Sequence, residues 1–282
     1  MEVFVNELSL SGQFKNEDEF FDNLDKVLEN IKILELLNFS ILKEYSLFNS
    51  KVTDSYNLID FLKIRTDRAR KFKSTLARLS QNPPFWNEEQ KHSCLEDKYI
   101  FNSIDICGSS IAESSQRDKI ILSFNHDNFQ HIWCTIYKNN SEINIYNIIS
   151  KDTFLEYLIE KSLINPLNYC QSKYFESKLN FELINEGFGF DSLQTSQQVK
   201  EFLNSFELFH RGDWEDILKS DGLDFKLYSP NKKENWFKNT EFEEKKIYKF
   251  RVSQKFRCFG YRDKDTFFVL RFETSHEISD NG

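Results

Sequence analysis

The spacing of apolar residues changes along this chain, and each change marks an element. Glu2 to Leu10 reads as a short strand. Next, Phe20, Leu24, Val27, Leu28, Ile31 and Leu34 recur at intervals of three and four, which predicts an acidic amphipathic helix with one buried stripe. A second helix is predicted from Leu58 to Leu79, with Leu58, Phe61, Leu62, Ala69, Phe72, Leu76 and Leu79 inward. Asn82-Pro83-Pro84 ends it, because proline has no N–H to continue the ladder. Ser110-Ile111-Ala112-Glu113 has the spacing of a capping box and predicts a short helix. Apolar runs follow at 120–124, 132–137 and 143–148; Asn139-Asn140 between the last two predicts an antiparallel hairpin. A helix over 151–161 should cover it with Phe154, Leu155, Leu158 and Ile159.

Beyond Pro166 the pattern weakens. Gly187-Phe188-Gly189 reads as a loop, and Ser196 as the cap of a helix bearing Val199, Phe202, Leu203, Phe206 and Phe209. Three close runs, 247–250, 255–261 and 266–272, predict a meander of antiparallel strands. The expected fold class is α+β: N-terminal helices with a short antiparallel sheet, then a C-terminal helix plus a three-stranded meander. The expected domains are 1–190 and 191–282, divided near residues 187–195.

Charge changes the picture more than composition does. The net charge is −8, which argues against polyanion binding by the whole surface. Yet Lys63 to Arg78 carries seven basic residues against Asp67 alone, and Lys245 to Arg271 carries nine against Asp263 and Asp265. These segments are +6 and +7, so the remainder is −21. Separation this strong creates local potentials that the net value hides. No apolar run long enough to span a bilayer occurs, and Met1 to Phe14 lacks the pattern of a secretory signal, so a cytoplasmic protein with no membrane partner is expected. Five scattered cysteines, Cys94, Cys107, Cys134, Cys170 and Cys258, predict reduced core thiols rather than a disulfide framework.

The strand pattern places chemistry on the C-terminal meander. Lys249 and Arg251 share one face of their strand, and Arg257 shares a face with Phe259. Guanidinium groups there could pair phosphate oxygens while Tyr248 and Tyr261 stack on bases; a solvated sheet face is the competing reading. Ile247-Tyr248-Lys249-Phe250-Arg251-Val252, Phe256-Arg257-Cys258-Phe259-Gly260-Tyr261 and Phe267-Phe268-Val269-Leu270-Arg271-Phe272 resemble the core strands of the RelE/ParE-like toxin superfamily. The resemblance is confined to these strands. It implies a helix-plus-sheet domain that acts either as a metal-independent, ribosome-dependent mRNA endonuclease or as a gyrase inhibitor. Residue by residue, it makes Arg251 and Arg257 the two strand arginines, and Tyr261, Arg271 and His276 the counterparts of the catalytic acid/base groups. The opening Val5 to Phe14, Pro83-Pro84-Phe85-Trp86 and Gly108 to Glu113 are similar to uncharacterised bacterial proteins that occur with mobile elements and phage-defence genes.

The basic helix, with Arg68 and Lys71, could lie along a phosphate backbone. The alternative is that it faces the acidic N-terminal helix, which carries Glu17, Asp18, Glu19, Asp22, Asp25 and Glu29. No metal site is expected, because the histidines show no H-E-x-x-H and no close His/Cys pairing. Glu176-Ser177-Lys178 has the form of a nuclease E-x-K but lacks a preceding strand-borne Asp. No phosphate-binding glycine loop and no nucleophile elbow occur, so no cofactor is expected.

The leading expectation is a nucleic-acid-directed effector of a toxin-like or phage-defence system, acting as a metal-independent ribonuclease. Arg257, Arg271, His276 and Tyr261 would be catalytic, while Lys249, Arg251, Arg262, Arg68 and Lys71 would hold an RNA or DNA backbone. The alternative, from a different class, is a non-catalytic adaptor or sensor subunit that binds an acidic protein partner from the same operon.

Overall fold

The computed structural model describes residues 1–230 and 235–275, apart from the side chains of Lys71 and residues 78–81. The chain is α+β and forms two compact units, Met1–Tyr157 and Leu158–Gly282. The loop at 187–189 lies within the second.

The first unit contains β1 (Glu2–Val5), β2 (Ser11–Phe14), α1 (Glu17–Leu36), β3 (Ser40–Leu42), β4 (Lys51–Thr53), α2 (Asp67–Gln81), β5 (Tyr99–Phe101), β6 (Ile104–Asp105), α3 (Ser110–Arg117), β7 (Ile120–Leu122), β8 (Trp133–Lys138) and β9 (Ser141–Ile148). α4 (Lys151–Glu160) runs from this unit into the next. Seven of the strands form one sheet in the order β3-β1-β7-β9-β8-β5-β6, while β2 and β4 pair separately. This corrects the expectation of a short antiparallel N-terminal sheet. β3, β1, β7 and β9 run parallel, and only β8, β5 and β6 continue antiparallel. Val3–Val5 of β1 and the whole of β7 are short continuous apolar runs buried on both faces, so they show little alternation to mark a sheet with one solvated face.

The helices follow their side-chain patterns, with one break. α1 is capped by Asn16, whose side chain accepts from Glu19 N–H, and it buries Phe20, Leu24, Val27, Ile31 and Leu34. The helix expected over 58–79 is two elements, a 3-10 turn at Leu58–Leu62 and α2. Asn57 caps the first and Thr66 the second, so the polar stretch between them resets the helix. The expected hairpin is β8–β9, with Asn139 and Asn140 both at positive φ. Phe4, Trp86, Tyr99, Ile111, Ile121 and Ile136 centre the core of this unit.

The second unit contains α5 (Pro166–Lys173), β10 (Leu179–Asn180), α6 (Ser196–Arg211), α7 (Trp214–Lys219), β11 (Lys226–Leu227), β12 (Ile247–Arg251), β13 (Arg257–Asp263) and β14 (Thr266–Glu273). The predicted meander is the centre of a five-stranded sheet, β10-β14-β13-β12-β11. One face receives α6 through stacked and edge-on rings: Phe202 meets Phe272 with centroids 4.1 Å apart, and Phe209 meets Phe250 at 4.9 Å. On the other face Tyr228, Phe237, Ile247, Phe259 and Leu270 form a smaller cluster. The register between β13 and β14 shifts at Phe259/Gly260, so Phe259 faces Arg271 while Gly260 faces Val269. A Cβ at Gly260 would lie 2.1 Å from Phe268 O, so only glycine fits this close approach. Among the described residues no helix is long and apolar enough to cross a membrane.

Candidate functional site

Pairing and alternation put Ile247, Lys249, Arg251, Arg257, Phe259, Tyr261 and Arg271 on one side of the C-terminal sheet. The sequence-predicted residues of the meander therefore share a face, except Arg262, which follows Tyr261 and lies on the opposite side over Trp214. They do not converge on one point. Tyr261 and Arg257 lie four residues apart on β13, roughly 13 Å at about 3.3 Å per residue.

Most of these cations are occupied within the chain. Arg251 pairs with Asp224 at 3.1 Å and donates to Asp221 O at 3.3 Å. Arg257 donates through Nη1 to Ser253 O and Phe256 O, both at 2.9 Å. Arg262 lies over the Trp214 ring at 3.6 Å and donates to Lys264 O at 2.7 Å. Lys249 is buried beside β11; that burial, joined by Lys226, lowers its pKa. Tyr261 stacks on Phe268 at 4.9 Å, with Lys245 over its ring at 5.0 Å. Burial raises the pKa of the Tyr261 hydroxyl, which disfavours the phenolate. His276 and the Lys71 side chain lie outside the described residues. On the basic helix, Arg68 pairs with Asp18 at 3.3 Å and with Asp22, both of α1, and covers the Phe21 ring. The acidic helix, not a phosphate backbone, is what this arginine faces here.

Arg271 differs from the other three sheet arginines. Its guanidinium lies between the rings of Trp236 at 3.9 Å and Phe188 at 4.3 Å. No carboxylate or carbonyl among the described residues is within hydrogen-bond distance of it. Burial lowers its pKa, with Tyr228 and Glu273 acting in the opposite direction. An arginine nevertheless stays charged. Both of these contacts are with rings, so its N–H donors are the part left to bind. Those donors suit the paired oxygens of a carboxylate or a phosphate.

The loop 187–189 builds this arrangement. Phe272 N–H donates to Phe188 O at 2.8 Å, which sets Phe188 beside Arg271. Asp191 clamps the loop, accepting from Gly187 N–H at 2.5 Å and Gly189 N–H at 3.2 Å. Gly187 has φ +81°, and a Cβ at Gly189 would lie 2.7 Å from Ile184 Cδ1. A cavity of about 320 Å³ opens here, lined by Asn185, Phe188, Trp236, Phe242, Leu270 and Arg271 among others. Glu241, exposed, also lines it. Phe188 and Trp236 went unrecognised as site residues. Their sequence signals were the small loop and a tryptophan in a polar stretch, and neither names a partner.

The first unit has a cavity of similar volume, about 320 Å³, lined by Asn23, Lys26, Asn30, Ser123, Asn125 and Gln130. It lies beyond the carboxyl ends of β7 and β9, with α1 as its other wall. Asn30 is 3% exposed and its Oδ1 has no partner. Its walls offer neutral amides and one lysine, a lining that selects no particular chemistry.

Two cysteines depart from the expectation of reduced core thiols. Cys134, Cys170 and Cys258 are buried and free, but Cys94 and Cys107 are joined in a disulfide. The tight β5–β6 hairpin, with Asn102 and Ser103 at positive φ, folds the chain back and brings the two together.

No protein-family model, no curated protein and no solved structure matches this chain.

Proposed function

We propose that this protein is a non-catalytic adaptor or sensor subunit whose second unit captures a carboxylate of an acidic protein partner at Arg271. The observation that carries this reading is the contrast among the four sheet arginines. Three are turned onto carboxylates, carbonyls or a ring of their own chain, and Arg271 alone keeps its donor edge open, held by Phe188 and Trp236. A charged donor between rings, beside apolar Leu270 and Phe242, suits an acidic residue with an apolar neighbour. Cleavage of RNA would further need a proton-transfer group beside the phosphate. Tyr261, whose hydroxyl is held protonated by burial and whose ring is stacked on Phe268, is not poised to accept a proton, and His276 lies outside the described residues.

Anisotropy titration of a labelled Asp/Glu-rich peptide with leucine flanks, against an RNA oligonucleotide in EDTA, tests the reading. The peptide should bind the wild type, about tenfold more weakly Arg271→Ala, the equivalent of about 1.4 kcal/mol, and at intermediate strength Arg271→Lys. Salt-sensitive RNA binding that needs Arg271, or RNA cleavage, would replace this reading with the nucleic-acid-directed effector.

A further inference from the structure

His92, Cys94 and Cys107 of the first unit come together without any role in the proposal above. A ring nitrogen of His92 and the two Sγ atoms lie within 4.8 Å of one another. His92 and Cys94 stand two residues apart, which is a close His/Cys pairing after all. Tetrahedral zinc, with Zn–S near 2.3 Å and Zn–N near 2.0–2.1 Å, separates its ligand atoms by roughly 3.3–3.8 Å. The two sulfurs, bonded to each other in the disulfide, would part to that spacing on reduction.

The histidine is prepared for such a role. Gly108 N–H donates to His92 Nε2 at 3.1 Å, so Nε2 bears the lone pair. The proton is then on Nδ1, which donates to Glu113 Oε2 at 2.5 Å. A carboxylate that fixes the tautomer from behind is the common second partner of a zinc-binding histidine. Glu113 is itself held, accepting from Arg117 Nε at 2.5 Å and from the Lys91 and His92 N–H groups. Gly108 is the residue after Cys107, and it is exposed with nothing within 4 Å of where its Cβ would be; a metal at Nε2 would take the place of its N–H. Cys94 is exposed, which leaves a path from solvent.

We propose that reduction of the Cys94–Cys107 disulfide creates a zinc site in which His92, Cys94 and Cys107 are the protein ligands. A dithiol reductant supplies two electrons and two protons and leaves as its own disulfide, so the S–S bond becomes two thiols. Binding of Zn²⁺ releases those two protons as both thiolates coordinate, His92 Nε2 adds the third bond, and water takes the fourth position. With the disulfide intact this site has no thiolate to offer, so the same two sulfurs bind either each other or the metal.

The test is anaerobic titration of the full chain with Co²⁺ after phosphine reduction and removal of the phosphine. The reduced wild type should take up one equivalent and develop thiolate-to-cobalt charge-transfer bands; the oxidised wild type should show none. Cys94→Ser and Cys107→Ser should each lose much of that absorption. X-ray absorption of the zinc-loaded wild type, which needs no variant to fold, should show two sulfur and at least one nitrogen ligand. A reduced wild type that develops no charge-transfer bands, or a zinc spectrum without sulfur, overturns the proposal and leaves a structural disulfide only.

Discussion

Glu113 in the first unit is a buried charge and Arg271 in the second a half-buried one, and their surroundings differ in kind. Glu113 is enclosed by donors: His92 Nδ1, Arg117 Nε and two backbone N–H groups all point at its oxygens. Burial alone would raise its pKa, and the bonds from His92 and Arg117 outweigh that and hold it below the usual carboxylate range. Arg271 has no hydrogen-bonded counter-charge among the described residues: Glu273 acts on it only through space, and the electron-rich faces of Phe188 and Trp236 lie against it. A closed network spends its hydrogen-bonding capacity on the fold, and an open one keeps some for a ligand. The same distinction separates Arg68, turned onto Asp18 and Asp22, from Arg271, although both belong to strongly basic segments.

If the contrast is right, the largest effect belongs to the closed network. Glu113→Ala would leave Arg117 and the His92 N–H without their buried acceptor, and should cost about 3–5 kcal/mol in urea unfolding of the full chain. A loss below about 1 kcal/mol would mean that the network is not structural.

Glu7 is the intermediate case, because one of its carboxylate oxygens is satisfied and the other is not. Oε1 accepts from Ser110 N–H at 3.0 Å, while Oε2 is buried with no partner. Burial pushes its pKa up to about 7, the Ser110 bonds pull it back in part, and Glu44 adds to the rise. The folded chain therefore holds a proton here that the unfolded chain has already lost. The stabilisation is complete below about 4.5, falls as the pH rises, and is gone above about 7. A shift of that size corresponds to about 3 kcal/mol. Glu7→Gln should remove this pH dependence while the wild type loses stability between those limits. Parallel curves for the two would show that Glu7 ionises without cost.

Arg271→Ala should be the mildest of the buried changes, because a cation–π contact contributes about 0.5–2 kcal/mol and no ion pair is broken. A cost as large as that of Glu113→Ala would make Arg271 a structural group and remove the basis for a docking site. Arg68→Ala should have the smallest effect. Its pairs with Asp18 and Asp22 are exposed, so any change in thermal midpoint should shrink as salt is added. An effect that persists in high salt would point to packing on Phe21 instead.

Periodicity and turn chemistry by themselves determined α1, α6, the β8–β9 hairpin and the β12–β13–β14 meander. In these elements the buried stripe repeats locally, and the connecting residues fit their turns. Residue counting also revealed the segregation of charge. Tertiary structure alone decided which groups meet: Arg68 with α1, Phe188 with Arg271, Cys94 with Cys107, and β1 with β7. Those partners are distant in sequence, and a charge or a three-residue apolar run looks the same whichever neighbour the fold supplies. Whether an arginine is a binding group depends on what lies within a few ångströms of its guanidinium, and that distance is a property of how the chain crosses itself.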